Sequence, residues 1–294
     1  MIKHYHIRDV GDYINWIYFF HAWGFQPKFA SIVEVHDCDA CRTAWLHTFS
    51  REDASKAAEA MRLHREAKRM LSRLDTDFRT HALFLLADAN ADGDDLILDE
   101  THLPLLRQQT SDGGENAYRC LSDFVRPLSS GIKDQVGLFA TTVDAEMEEL
   151  YQTDDYRRLL VQTLSDRLAE ATAERLHAEV RRSIWGYAPE EHLCTKELLE
   201  GNYQGIRPAV GYPSLPDISV NFILDRLIDL KQIGIRLTEN GMMQPHASVS
   251  GLMLSHPAAH YFAVGKIGTD QLADYARRRS LPLEQIEKFL ANNL

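Results

Sequence analysis

The stretch His81-Ala-Leu-Phe-Leu-Leu-Ala87-Asp-Ala-Asn-Ala-Asp-Gly93-Asp-Asp95-Leu-Ile-Leu98 decides how this chain folds. An apolar run, an acidic turn centred on Gly93 and a second apolar run read as two strands joined directly. Strands this close in sequence pair antiparallel, because a parallel pair needs a long crossover. The same residues nearly match a calcium-binding EF-hand loop, with oxygen donors at Asp88, Asn90, Asp92 and Asp94 and a glycine at Gly93. The match fails at Asp99, where a glutamate is needed, and at Asp95, where an apolar residue is expected. Its flanks also read as strands instead of helices, so we take the stretch as a hairpin.

Outward from this hairpin, residues 9–23 read as a short aromatic helix with Tyr13, Ile14, Trp16, Ile17 and Phe20 facing inward. Residues 29–35 look like a strand, and Ser50-Arg-Glu-Asp53 resembles a capping box opening a helix to about Leu74. A helix is expected over 117–125 and a strand over 135–143. The longest element runs from about Asp144 to Ile184, with a break near Asp154 and an apolar stripe of Leu159, Leu160, Leu164, Leu168, Ala171 and Leu176. Short helices follow over 195–200 and 220–233, the second capped by Asp217 or Ser219. Residues 248–254 and 261–267 read as a hairpin turned by His256-Pro-Ala-Ala259, and helices over 269–279 and 283–292 close the chain. Strands that come as hairpins, without strict alternation with helices, predict an α+β fold with a mostly antiparallel sheet flanked by helices, including one long central helix.

With 294 residues, 45% hydrophobic and 26% charged, the chain has ample material for a core. A net charge of -11 argues against a general nucleic-acid binder, and Arg277-Arg-Arg279 reads as a solvated helix face. The apolar runs are too short or too interrupted to span a membrane, and the N-terminus lacks the apolar core of a signal peptide. We therefore expect a cytoplasmic protein, which four sparse cysteines also suit. Cys38-Asp-Ala-Cys41 reads as two free, partly buried thiols; zinc, helped by His36 or His47, is the alternative, although a second such pair is missing.

The functional stretch is Tyr203-Gln-Gly-Ile-Arg207-Pro-Ala-Val-Gly211-Tyr212-Pro213-Ser-Leu-Pro216. Three prolines stiffen it, two glycines permit turns or close approach, and its amides and carbonyls cannot all pair in a sheet. Arg207 is a forked cation suited to a carboxylate or phosphate, and Tyr212 offers a ring face and a hydroxyl. The loop reads as a small-molecule cradle or, equally, as a packed connector in which Arg207 pairs with a structural acid. The glycine-rich turn of a Rossmann methyltransferase is absent, as are a His-Glu-x-x-His pair and the Asp-x-His-x-x-Gly signature of a cobalamin domain.

Trp185-Gly-Tyr-Ala-Pro189, Asn202-Tyr-Gln-Gly-Ile-Arg-Pro-Ala-Val-Gly-Tyr-Pro213, Ala247-Ser-Val-Ser-Gly251 and Ser255-His-Pro257 closely resemble the reactivation domain of cobalamin-dependent methionine synthase. The resemblance runs nearly end to end, so it implies one methionine synthase activation-like domain over residues 1–294, with a single curved α+β body. It also implies a binding site for S-adenosylmethionine, whose methyl group is presented to an oxidised cobalt(II) cofactor for reductive methylation. Cobalamin would come from a partner, the cobalamin-binding domain of methionine synthase, and an electron from a flavodoxin-like donor. Proximity and orientation are then the domain's task, and the isolated chain is expected to turn nothing over. The alternative is a non-catalytic S-adenosylmethionine-binding or regulatory protein on the same scaffold.

The resemblance assigns ligand contacts to Arg207, Ala209, Gly211, Tyr212, Tyr261, Phe262, Asn15 and Glu170. Arg207 suits the ligand carboxylate, Ala209 and its neighbours the adenine edge, and Tyr261 with Phe262 a paired-tyrosine position on the last strand. Asn15 stands where the family has an aspartate, and Phe262 where it has a second tyrosine. Ile218 and Asn221 replace a His and a Lys, as cobalamin-facing or partner-facing positions.

Overall fold

Strand β5 (Asp134–Val143) shows how this sheet is built, because its period-two alternation serves two cores at once. Val136, Leu138 and Ala140 point into one apolar cluster, and Phe139 and Val143 into another on the opposite face. The computed structural model describes residues 1–110 and 118–294. In chain order come β1 (Ile2–His6), α1 (Ile7–Val10), α2 (Trp16–Ala22), α3 (Asp39–Leu46), α4 (Ala54–Asp77), β2 (Arg79–Asp92), β3 (Asp95–Leu98) and β4 (Thr101–Pro104). After β5 follow α5 (Asp155–Glu179), α6 (Thr195–Leu199), α7 (Asn221–Ile228), β6 (Arg236–Leu237), β7 (Met243–Gln244), β8 (Ser248–Met253), α8 (Thr269–Arg279) and α9 (Leu283–Phe289).

The main sheet has the order β4-β3-β2-β5-β8, with β1 also paired to β2, and all these pairs are antiparallel. It curls into a half-barrel, giving the expected α+β fold with α5 as its long central helix. β2 and β3 form the hairpin read from the sequence, closed between Asp92 and Asp95. Three acids of its EF-like run are ion-paired: Asp88 with Lys133 at 2.8 Å, Asp94 with Arg107 at 2.7 Å, and Asp95 with Arg278. One face of the sheet carries α7, α8 and α9, and the other carries α4 and α5. Among the described residues no helix is long and apolar enough to cross a membrane.

α5 lies along the second face and runs on through a wider turn over Val180–Ile184. Buried residues surround it on more than one stripe, including Leu160, Leu164, Leu168, Ala171 and Leu176, while Leu159 is half exposed. Small residues Ala169 and Ala173 bring it close to the sheet, and Thr141 of β5 donates to the carbonyl of Ala169 at 2.9 Å.

The structure differs from the local reading in several places. Residues 9–23 form α1, a 3-10 turn and α2, broken at Ile14–Asn15; Phe19 is buried there and Ile17 is exposed. Pro27–Glu34 is a 3-10 helix instead of a strand, because Pro27 starts a helical turn and Phe29, Ala30 and Ile32 pack at helical spacing. Leu121–Phe124 is a 3-10 turn where a helix was expected, and Ala117 lies outside the described residues. Residues 261–267 form no strand. Phe262, Val264 and Ile267 alternate into the core, but the amides of Val264 and Ile267 donate to Pro213 and Asn293.

His64 of α4 is buried against the edges of Trp16 and Phe20. Burial, then the nearby Lys68, lowers its pKa to about 4. The folded state therefore keeps His64 neutral at pH values where the unfolded chain takes up a proton. Its stabilising contribution is complete above the unfolded value and is lost as pH falls from about 6.5 toward 4. Urea denaturation at pH 7 and 4.5 is expected to show that His64→Leu removes about 2 kcal/mol of the acid destabilisation; equal losses in both proteins would contradict this.

Candidate functional site

The proline-rich loop joins the sheet as an irregular edge. Ile206 exchanges both backbone hydrogen bonds with Leu254 at 2.9 Å, the amide of Val210 donates to Ser250 at 2.9 Å, and that of Leu252 donates to Pro208 at 3.0 Å. More of the loop is paired than its prolines suggest, because the hydrogen bonds fall on alternate residues and skip Pro208's missing N–H. The same alternation buries Ile206, Pro208 and Val210 and turns Arg207 and Ala209 to the opposite face. This approach needs Gly251: a Cβ there would lie 2.2 Å from the carbonyl oxygen of Pro208 and 2.9 Å from Cα of Ala209. Beyond Val210 the chain turns tightly, with Gly211 donating to Leu215 at 2.8 Å and Tyr212 to Ala209 at 3.2 Å.

Arg207 faces α5. Its guanidinium donates to Oε1 of Glu174 at 2.5 Å and lies 5.9 Å from the centre of the Phe139 ring, with only 12% of its side chain exposed. Burial works against the charge of Arg207, but Glu174 and the hydroxyls of Tyr261 and Tyr203 outweigh it and hold the proton more firmly than usual. Two buried atoms of this pair have no partner, Nε of Arg207 and Oε2 of Glu174. One turn earlier, Glu170 accepts from the hydroxyl of Tyr212 at 3.1 Å, and burial with Glu170 pushes that tyrosine's pKa up to about 12. The hydroxyl of Tyr261 accepts the Arg207 amide at 2.9 Å and sits 3.4 Å from that of Tyr203. Tyr212 and Tyr261 are both about half exposed, so ring faces border the charged groups.

A buried scaffold holds the loop from beneath. Tyr203 packs against His177 and lies under the guanidinium of Arg181, 4.2 Å from its ring centre. Arg181 is fully buried and makes two 2.7 Å hydrogen bonds to Glu191. Tyr187, from the Trp-Gly-Tyr motif after α5, sits 3.1 Å from Nε2 of His177, and a Cβ on Gly205 would meet its hydroxyl and the Leu254 carbonyl. Burial, then the Arg181 and Arg207 charges, keeps His177 well below its ordinary pKa. Asn221 is also structural: it donates to Gly241 at 2.9 Å and accepts from Ser250 of β8 at 2.5 Å, so it is buried and does not face a partner. Arg279 is buried with Asp217 at 2.7 Å and Arg278 pairs with Asp95 and Asp274, which leaves only Arg277 of that run on the solvated face.

The structure thus brings together Glu170, Arg207, Ala209, Gly211, Tyr212 and Tyr261. Asn15 caps α2, accepting the Ile17 amide at 3.2 Å, and lines a separate hollow of about 1010 Å³ with Trp16, His64 and Lys68. Its segment nevertheless flanks the same stretch of α5: Arg167 lies over the Tyr18 ring and Arg175 donates to the Asp9 carbonyl. Phe262 is 7% exposed and sits in the core near Phe124, so it does not share the outward position of Tyr261. Glu174 belongs to no motif of the sequence, although its spacing of four from Glu170 places both on one helix face. The connector alternative for Arg207 is partly realised, with Glu174 as the acid.

Gly251→Ala is expected to push residues 207–210 off β8 and cost about 1–3 kcal/mol in thermal unfolding, the range for overpacking a filled site. An unchanged melting curve would mean that the edge yields without resistance.

A family model described as vitamin B12 dependent methionine synthase, activation domain, matches residues 6–280. The crystal structure of the MetH reactivation domain bound to AdoHcy is similar over 100% of this chain and 90% of its own, at 38% identity and a TM-score of 0.88. These two matches, over a fold with the same sheet and helices, place this chain in the family of vitamin B12 dependent methionine synthase activation domains.

Proposed function

We propose that the chain binds S-adenosylmethionine between α5 and the 206–212 edge and presents its methyl group for reductive methylation of cobalamin. The carrying observation is the pair of unsatisfied buried atoms, Nε of Arg207 and Oε2 of Glu174, beside the half-exposed rings of Tyr212 and Tyr261. The ligand's groups fit this set. Its carboxylate suits Arg207, its ammonium suits Glu174 and Glu170, and its adenine suits the backbone at Ala209 and Gly211 with the tyrosine faces. The solved relative was crystallised with AdoHcy, the demethylated form of that ligand. Asn15 lies apart, on the other flank of α5 with its carbonyl capping α2, and a contact with the ammonium needs that carbonyl to reach past the helix; Phe262 fixes the backbone that aims Tyr261.

No residue of this chain is assigned to hold cobalamin, which a partner domain supplies together with the cobalt nucleophile that accepts the methyl group. The chain's own work is to bind the sulfonium ligand, fix its orientation and shield its charged end from water. No side-chain acid or base is required, and without the partner's cobalt the module is expected to turn nothing over. A flavodoxin-like protein is the proposed electron donor.

Calorimetric titration tests binding. Saturable one-to-one binding of S-adenosylmethionine is expected, weakened by about 10- to 100-fold in Arg207→Ala, the range for losing a charge-assisted hydrogen bond. The single change also leaves Glu174 buried without its cation, so it should cost about 3–5 kcal/mol of stability. Arg207→Ala combined with Glu174→Gln should recover part of that stability but none of the affinity; wild-type affinity in either protein removes Arg207 from the site.

Asn15→Asp is expected to tighten binding about fivefold, equivalent to about 1 kcal/mol for adding a charge to the hydrogen bond. Unchanged or weaker affinity would show that Asn15 only caps its helix. The departures at Asn15 and Phe262 favour one second reading, a regulatory protein that binds the ligand without methylating cobalt. Adding a cobalamin domain and a reduced flavodoxin decides between them: methylcobalamin formation supports repair, and binding without methylation supports regulation.

A further inference from the structure

We propose that Cys38 and Cys41 form a redox-active dithiol that closes reversibly to an intramolecular disulfide by exchange with a small disulfide of the glutathione class. The two residues span the first turn of α3, with Cys38 as its N-cap. Their sulfurs lie 2.7 Å apart, and Sγ of Cys38 also accepts the Cys41 amide at 3.2 Å. Both thiols are partly exposed, so a small disulfide can reach them. His36 stands beside the pair, its Nδ1 accepting the Cys38 amide at 3.3 Å.

The two thiols are also chemically unequal. Hydrogen bonding from Cys41, then from His36, brings the Cys38 pKa down to about 7, while the same contact pushes Cys41 up. That is the asymmetry between an attacking thiolate and a resolving thiol. Cys38 attacks one sulfur of the small disulfide, forming a mixed disulfide and expelling one thiolate. Cys41 then loses its proton and attacks Sγ of Cys38, which breaks the mixed disulfide and expels the second thiolate. Two protein protons end on two small thiols, and two electrons pass from the protein to the small disulfide.

His36, Cys38 and Cys41 place their donor atoms within 4.8 Å of one another, which also raises a metal site. The geometry favours exchange. Two sulfurs at about 2.3 Å from a tetrahedral zinc stand roughly 3.7 Å apart, well beyond the 2.7 Å found here. Arg42 and Lys68 lie near the pair, both bonded to Asp37.

The test is alkylation mapping of the full chain after equilibration with mixtures of reduced and oxidised glutathione. Cys38 and Cys41 should lose their alkylation sites together as oxidised glutathione rises, while Cys120 and Cys194 keep theirs. Cys41→Ser should instead trap glutathione on Cys38, and in the reduced protein Cys38 should react about tenfold faster than Cys194 at pH 7. Equal reactivity of Cys38 and Cys194, with no paired loss, would overturn the proposal. Stoichiometric cobalt(II) binding, with thiolate-to-cobalt absorption and protection of both cysteines, would overturn it in favour of a metal site.

Discussion

The backbone of residues 206–210 lies on the edge of β8 only because position 251 carries no side chain. With the carbonyl of Pro208 2.2 Å from where a Cβ would stand, a residue other than glycine forces the two backbones apart. Much follows from that contact. The pairing fixes which alternate residues of the loop enter the core and which face α5, and so it aims Arg207 at Glu174. It also positions the Tyr212 turn and the 261–264 segment laid over it, since Val264 donates to Pro213 and Phe262 to Ser214.

The electrostatics are consistent with a site organised before any ligand arrives. Arg207 and Glu174 are both largely buried, and an ion pair in such surroundings contributes little net stability once desolvation is counted. The pair leaves one atom on each side unsatisfied, a disposition suited to the zwitterionic ligand end proposed for it. A rigid support lies below, where Arg181 is locked by Glu191 and stacked on the Tyr203 ring. The sequence motif Trp185-Gly-Tyr187 acquires a physical role here, returning the chain after α5 so that Tyr187 packs under the loop at Gly205.

Features governed by local chemistry were legible in the sequence. The β2–β3 hairpin, β5, the long α5 and the closing helices follow from apolar period, turn residues and caps. The loop's stiffness and its forked cation were also visible. Features that depend on a distant partner were not. Residues 261–267 alternate like a strand, yet their amides find the loop and the C-terminal turn instead of a ladder. Asn221 and Arg279 look like surface residues until β8 and Asp217 are brought beside them. Glu174 and Glu170 are alike in sequence, and only the fold makes one the partner of Arg207 and the other that of Tyr212. Phe262 and Tyr261 are adjacent, but opposite sides of an extended chain send one inward and one out.

Hydrogen–deuterium exchange of the whole chain, with and without saturating S-adenosylhomocysteine, tests most directly where the ligand sits. Slowed exchange is expected over residues 203–215 and 259–264, together with the middle of α5, with a smaller change at the Asn15 turn and none around α3. Protection confined to the hollow lined by Asn15 and His64, with the Arg207 loop exchanging as in the free protein, would contradict this.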